Sequence, residues 1–422
     1  MTAVERRVIS VRRLLPDTVG TPGLSEHTRD WGPLPSCTAQ ELLADVEASC
    51  LLGRGGAAFP TARKMRAVVA AGGRSVVVAN GAEGEPASAK DEVLLHNAPH
   101  LVLDGIQLAA RAVGANTAHL VVHGGGGHAE RLRASIRERG DRVPVDVHEL
   151  PSAYVASEAT AVVHWLNTGD ARPTSTPRRM SEVGVRGHPT LVNNVETLAH
   201  VAAIARGGPE WFRAVGDPEQ PGTLLITLTA AGVDRHVVET ETGTVVGDLL
   251  ADAGVTPDNT AALLIGGYLG TWFSSARGMR LRLSSPALRT VGGALGAGIV
   301  VAFPEERCGI LEAARVAGYL EAHSAGQCGP CRNGLSGIAG VLRRLAIGPW
   351  DDRDWPALQR WLSAVAGRGA CQLPDGAAAF VRSALVTFEG DLVTHRRGRP
   401  CAATSSGPFL PLPPSASTPT WR

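Results

Sequence analysis

Ser75-Val76-Val77-Val78-Ala79-Asn80-Gly81-Ala82-Glu83-Gly84-Glu85-Pro86 decides the fold: small and β-branched residues in an unbroken run, then a polar turn of glycine and acid. A short continuous apolar run closed by turn residues is how a strand buried on both faces reads. His119-Leu120-Val121-Val122-His123 is a second such run, and the 99–112 segment between them has the spacing of an amphipathic helix. Four consecutive glycines, 124–127, then lead into a helical pattern over 128–139. Strands alternating with helices across 40–150 predict an α/β layer with a mostly parallel sheet. Further helices are expected over 157–166 and 193–206, separated by a loop rich in Pro, Thr and Arg.

The pattern changes after Pro218. Strands over 223–228 and 236–240, a helix over 246–253 and a glycine-rich stretch at 265–270 make a small α+β module. After Pro304 helical patterns at 310–322, 333–345, 355–365 and 376–388, joined by short loops, predict a bundle. The expected division is 1–217, 218–304 and 305–400, followed by a Pro/Ser/Thr-rich disordered tail over 401–422.

Composition narrows the function. The 422 residues are 44% hydrophobic, enough for proper cores, and 41 basic residues against 40 acidic ones argue against nucleic-acid or anionic-membrane binding. Residues 1–17 lack the apolar core of a signal peptide, and the longest uncharged apolar stretch, 261–276, is glycine-broken and short of the roughly 20 residues of a membrane helix. A cytoplasmic protein is expected. Seven cysteines in such a chain suggest metal or redox chemistry rather than disulfides. Only two of the basic residues are lysines, Lys64 and Lys90.

Five motifs carry chemistry. Gly53-Arg54-Gly55-Gly56-Ala57-Ala58-Phe59-Pro60-Thr61-Ala62-Arg63-Lys64 lets backbone N–H groups approach a phosphate or flat ring, with Phe59 for stacking. It is not a P-loop, because Lys64 does not follow the glycine as in G-x-x-x-x-G-K-S/T. The turn Asn80 to Pro86 sits at a strand's carboxyl end, where α/β sheets bind ligands. Tyr154 with Ser157-Glu158-Ala159-Thr160 is the third motif, and Leu191-Val192-Asn193-Asn194-Val195-Glu196-Thr197 the fourth, whose asparagines also suit a helix cap. The fifth, Cys328-Gly329-Pro330-Cys331 with Cys371 beyond, suits zinc, an iron–sulfur cluster or a dithiol. Cys37, Cys50, Cys308 and Cys401 read as buried or incidental thiols.

In this order the motifs resemble the NADH- and FMN-binding component of respiratory complex I, the F subunit of NADH-quinone oxidoreductase, and its hydrogenase and formate-dehydrogenase relatives, over about residues 40–395. The resemblance implies an FMN-binding α/β domain, a β-grasp (soluble-ligand-binding) module and a helical domain with a [4Fe–4S] cluster. It implies that a hydride passes from NADH or NADPH to FMN, and single electrons then pass to an iron–sulfur centre and a redox partner subunit or ferredoxin-like protein. Arg54, Gly55, Gly56 and Lys64 match the loop around FMN and nucleotide, Phe59 an aromatic on the dinucleotide, Asn80 and Glu83 flavin contacts, and Glu85 an acid near the nicotinamide. Lys64 and Glu85 are the candidate catalytic residues. Tyr154, Ser157, Glu158, Asn193, Asn194 and Thr197 match the remaining flavin shell, and Cys328, Cys331 and Cys371 three of four cluster ligands.

The departures are as informative. The position of the family's first cluster cysteine holds Ala325, so either a fourth ligand comes from elsewhere, with His323 and Cys308 as candidates outside the family spacing, or the cluster is three-ligated, altered or absent. The family's Glu-Glu-Thr is Glu158-Ala159-Thr160, and the aromatic that flanks adenine falls at Arg179, beside Arg178. A lost carboxylate and two arginines suit a 2′-phosphate, hence NADPH. The alternatives are a non-catalytic or electron-relay homologue, or a flavoprotein with another donor and no functional cluster.

Overall fold

The computed structural model describes residues 5–8, 13–16, 20–125, 127–175, 178–348, 350–397, 401, 406–413 and 419–422; the other parts of the leader and tail read above lie outside them. Ser75–Asn80 forms the expected strand, buried from Ser75 to Ala79. It pairs in parallel with Ala115–His123 on one side and Thr190–Asn194 on the other, and Val145–Leu150 lies beyond Ala115–His123. The chain therefore leaves Ser75–Asn80 toward one edge and later returns on its other side. That reversal is a topological switch point, where the carboxyl ends of adjacent strands open a crevice. Asn80 and Asn194 are register partners across it.

One expectation is corrected here. Asn193 and Asn194 end a strand, Thr190–Asn194, rather than begin a helix; the helix runs over Val195–Arg213 with a break at Gly208. It crosses Pro99–Val113 closely, since a Cβ on Gly105 would lie 2.0 Å from the Leu198 carbonyl oxygen. Pro99 opens that helix and Gly114, left-handed at φ +69°, closes it. On it, buried Asp104 binds Arg139 at 2.6 Å, His27 at 2.8 Å, and Arg206.

The second sheet has six strands: Glu5–Val8, Val233–Glu241, Thr223–Ala230, Ile299–Pro304, Thr260–Ile265 and Thr271–Ser274 in spatial order. Glu5–Val8 pairs in parallel with Val233–Glu241, so the start of the chain joins the sheet that the sequence division at 217/218 assigned elsewhere. The Glu239 carboxylate fixes this entry by accepting the N–H groups of Arg13, Leu14 and Leu15.

Beyond Pro304 come the helices Gly309–Ala322, Ser336–Ile347, Asp354–Val365, Leu373–Thr387 and Glu389–Arg396, with a widened turn Pro330–Leu335 before the second. Their apolar faces share a core with Val301 and Phe303 of the second sheet. The expected disordered tail is corrected for its described parts. Phe409 and Leu410 donate N–H bonds to the buried Glu312 carboxylate, Leu410 is buried, and the Trp421 carbonyl accepts from Ala171 N–H. Glu312 offers two oxygens with no solvent, and this backbone supplies donors. Among the described residues no helix is long and apolar enough to cross a membrane.

Candidate functional site

The glycine loop is a closed turn: Gly53 N–H donates to Phe59 O and Thr61 N–H to Leu51 O, each at 2.9 Å. Gly56 has φ +97°, and a Cβ there would come within 3.3 Å of Gly296 O, so the loop abuts the 295–298 turn of the second sheet. Arg54 turns inward. Its N–H donates to Thr197 Oγ1 at 2.9 Å, and Nη2 to Thr223 O at 2.9 Å. Its Nε stands 3.9 Å from Glu196, and both Nε and Nη1 are buried without a hydrogen bond. Lys64, in the first turn of Thr61–Ala71, donates Nζ to Val192 O at 2.9 Å, and burial lowers its pKa. Phe59 is 42% exposed at the loop's tip, with the Arg63 guanidinium over its ring.

The turn after Ser75–Asn80 is held by its own side chains. Asn80 Nδ2 donates to Ser157 O at 2.8 Å and its Oδ1 accepts from Ala82 N–H. Glu83 accepts the Ser88 hydroxyl and, at 3.0 Å, Glu92 N–H. Burial, then the nearby Asp91 charge, pushes Glu83 up to about 7 although Lys90 opposes them. Glu85 accepts Tyr154 O–H at 2.8 Å and Tyr268 N–H at 2.9 Å, both on Oε2, while Oε1 has no partner. Burial pushes Glu85 to about 7 as well. Backbones press together here: a Cβ on Gly84 would lie 2.0 Å from Tyr154 O.

The paired asparagines divide their labour. Asn194 caps Val195–Arg213 by accepting Glu196 N–H at 3.0 Å, and its Nδ2 donates to Asp91 at 2.6 Å and to Asn80 O at 3.2 Å. Asn193 is buried with its Nδ2 unpartnered. Thr197 is occupied by the Arg54 N–H. The fold thus draws together Arg54, Gly55, Lys64, Asn80, Asn193, Asn194 and Thr197 from three separate motifs: a Cβ on Gly55 would meet Asn194 Cβ at 3.3 Å.

Sequence reasoning missed the ionic centre of this site. Lys90 Nζ donates to Asp91 at 2.7 Å and Glu196 at 2.8 Å, and all three are buried. Burial alone would lower Lys90, but Asp91, Glu196 and Glu83 hold it above the ordinary lysine range. A cleft beside this centre is lined by Arg54, Gly56, Lys90 and Glu196 on one wall and by Gly296 and Gly298 on the other. The scarcity of lysine was the available signal, since one of only two lysines lies at its middle.

Other expected residues sit apart from that cleft wall. Ser157 ends a short turn over Tyr154–Ser157 and donates to Tyr154 O at 3.4 Å. Glu158 caps Ala159–Thr168 through the N–H groups of Thr160 and Ala161. Arg179 and Arg178 are exposed on the surface loop.

Cys328, Cys331 and Cys371 gather near Glu158, whose charge reaches Cys371. Burial opposes ionisation of Cys328, but N–H groups of Ala370 and Cys331 outweigh it and lower its pKa. Burial, then Cys328, pushes Cys331 up to about 12. Cys308 is corrected as a fourth ligand. It caps the start of Gly309–Ala322, so about 20 Å of helix separates it from His323, which caps the other end two residues before Ala325.

Comparison with known proteins follows the same division. The family described as the Nuo51 FMN-binding domain matches residues 46–203, and that described as the NADH-ubiquinone oxidoreductase-F iron-sulfur binding region matches 312–395. The F 2 subunit of NADH-quinone oxidoreductase in Rhizobium meliloti is 31% identical over 381 residues, covering 86% of this chain and 90% of that protein. The F subunit of the Streptomyces coelicolor NADH-quinone oxidoreductase is 29% identical over 377 residues, 86% of this chain and 84% of that protein. A chain of a solved NAD+-reducing [NiFe]-hydrogenase in the H2-reduced state superposes with a TM-score of 0.79 at 30% identity; the match covers 85% of this chain and 63% of that one.

Proposed function

The chain belongs to the family of NADH-quinone oxidoreductase F subunits, and from that premise we propose that it is the electron-input subunit of a larger redox assembly, an NAD(P)H dehydrogenase that holds FMN and an iron–sulfur cluster. The observation that carries this reading is the switch-point crevice, where Arg54 Nε and Nη1 and Asn193 Nδ2 are buried without hydrogen bonds beside a glycine cradle, with Glu85 Oε1 likewise unbonded on the turn that follows Ser75–Asn80. Buried polar atoms without partners are costly, so an array of them around close backbone approaches suits a polar, flat, anionic ligand. FMN fits those residues.

The chemistry that bound FMN supplies is the conversion of two-electron hydride transfer into single-electron transfer. The chain's own groups bind and orient. Arg54 and the amides around Gly55 and Gly56 receive negative charge, and Lys64 Nζ adds a cation at the end of Thr190–Asn194. Glu85, held by Tyr154 and Tyr268 and shifted to about 7, can hold or yield a proton near neutral pH. Asn80, Glu83, Tyr154, Ser157, Glu158, Asn194 and Thr197 complete the pocket's frame, and Phe59 stacks on the dinucleotide.

The sheet of residues 218–304, with Glu5–Val8 added at its edge from the first unit, serves as the β-grasp module and the terminal helices as the iron–sulfur domain, the units otherwise being about 1–217, 218–304 and 305–400. Cys328, Cys331 and Cys371 supply three thiolates; Ala325 supplies none, so the cluster is held by three protein ligands. Ala159 and the exposed Arg178 and Arg179 favour NADPH as a donor alongside NADH. The acceptor is a partner redox protein.

Anaerobic titration of the purified protein with NADH and NADPH, followed at flavin wavelengths with iron and sulfide analysis, tests all of this. Bleaching by both nucleotides is expected. No bleaching by either overturns the dehydrogenase reading, a tenfold preference for NADH overturns the NADPH assignment, and flavin without iron leaves a flavoprotein lacking its cluster.

A further inference from the structure

Three donor side chains converge at the far end of the terminal helices, away from the Cys328, Cys331 and Cys371 group. Cys308 Sγ, His395 Nε2 and the thiol of Cys401 all lie within 4.8 Å of one another. The sequence conceals this, because Cys308 and His395 are 87 positions apart. Cys308 precedes Gly309–Ala322, His395 closes Glu389–Arg396, and Cys401 begins the tail.

We propose that Cys308, His395 and Cys401 form a binding site for one Zn2+-class divalent ion. Cys308 Sγ stands 3.4 Å from His395 Nε2. In a tetrahedral zinc site, a thiolate at about 2.3 Å and an imidazole nitrogen at about 2.0 Å span about 3.6 Å. The observed pair already has that spacing. His395 Nε2 also accepts the Cys401 N–H at 3.4 Å, a long bond that a metal at Nε2 would replace. Asp391, one turn before His395 on the same helix, accepts Gly309 N–H at 3.0 Å and acts electrostatically on Cys308. It lies outside the cluster of three donor atoms, so the fourth position would fall to a water molecule.

The choice of residue at the helix start points the same way. Cys308 Sγ accepts Leu311 N–H at 3.4 Å, the bond of an N-cap. Ser, Thr, Asp or Asn would cap better, so a cysteine there has another use. Two thiolates and one imidazole favour zinc over the hard cations, which take oxygen. The ion would tie the tail's first residue to two helices. Beyond it the tail gives Leu410 N–H to Glu312 and accepts Tyr268 O–H at Pro411 O, and Tyr268 N–H is one of the two bonds that hold Glu85.

The test uses the full chain. Elemental analysis of the purified protein should find one zinc per chain besides iron. His395→Ala and Cys401→Ser should each lose that zinc with iron and flavin unchanged, which separates this site from the electron-transfer reading. Cobalt(II) added to wild-type chain stripped of zinc but still holding its iron–sulfur cluster, which requires no variant, should give thiolate charge-transfer and tetrahedral d–d bands in a one-to-one titration. No thiolate band with cobalt, zinc retained in both variants, or a Cys308–Cys401 disulfide in place of metal in protein purified without reductant would each overturn the proposal.

Discussion

Two buried ionic knots, one joining the helices Pro99–Val113 and Val195–Arg213 through Asp104 and Arg206, the other at the start of Val195–Arg213 through Glu196, look alike by charge and differ in completeness. At Asp104, both carboxylate oxygens are taken, by Arg139, His27 and Arg206. At the switch point, Lys90, Asp91 and Glu196 satisfy one another, but adjoining Arg54 keeps two unpartnered nitrogens and Asn193 one. A knot closed on itself holds elements together. One that leaves buried donors open is arranged for something the chain does not contain.

The acids of the turn beside the second knot respond to pH with the opposite sign to Asp104. Burial would raise Asp104, but the His27 hydrogen bond and the Arg139 and Arg206 charges hold it down at about 2, below its ordinary 3.8. Its contribution is therefore present above pH 3.8 and lost as pH falls through about 2. Glu85 and Glu83 are raised from 4.5 to about 7, so the folded chain keeps protons that the unfolded chain has released. Stability then falls as pH rises from 4.5 to about 7 and is level above that.

The largest expected effect tests the closed knot. Asp104→Ala leaves the Arg206 guanidinium without its anion and Arg139 with Asp141 alone, and should cost about 3–5 kcal/mol in denaturant unfolding, with flavin per folded chain unchanged. Loss of flavin from the folded fraction would erase the distinction. Next, Glu85→Gln keeps an acceptor for Tyr154 and Tyr268 but cannot ionise. Flavin-free variant and parent should match near pH 4 and diverge to about 3 kcal/mol in the variant's favour by pH 8; a constant difference breaks the pH argument. The smallest effect concerns Arg54. Arg54→Ala should weaken FMN binding by about 10- to 100-fold, the worth of one charge-assisted hydrogen bond, while unfolding of the flavin-free chain changes by about 1 kcal/mol. A stability loss as large as that of Asp104→Ala would make Arg54 a structural residue instead.

Legibility followed locality. Ser75–Asn80 was readable residue for residue because a β-branched run needs burial on both faces, wherever its neighbours are. Thr190–Asn194 was not, because a five-residue strand ending in two polar amides has no period to show. Cys328-x-x-Cys331 announces itself within one turn; Cys308, His395 and Cys401 have no such spacing. Lys90 was visible as a rare residue, but its partner Glu196 is 106 positions away.

By itself the sequence determined the parts: the strand and its acidic turn, the glycine loop, the asparagine pair, three thiols with an alanine in the fourth place, and the family to which their order belongs. Tertiary structure decided which parts meet. Local periodicity specifies whether a segment is strand or helix, but the order of strands depends on how the crossover helices pack. It was the placement of Thr190–Asn194 beside Ser75–Asn80, rather than beyond Val145–Leu150, that made Asn80 and Asn194 register partners and put the glycine loop over them.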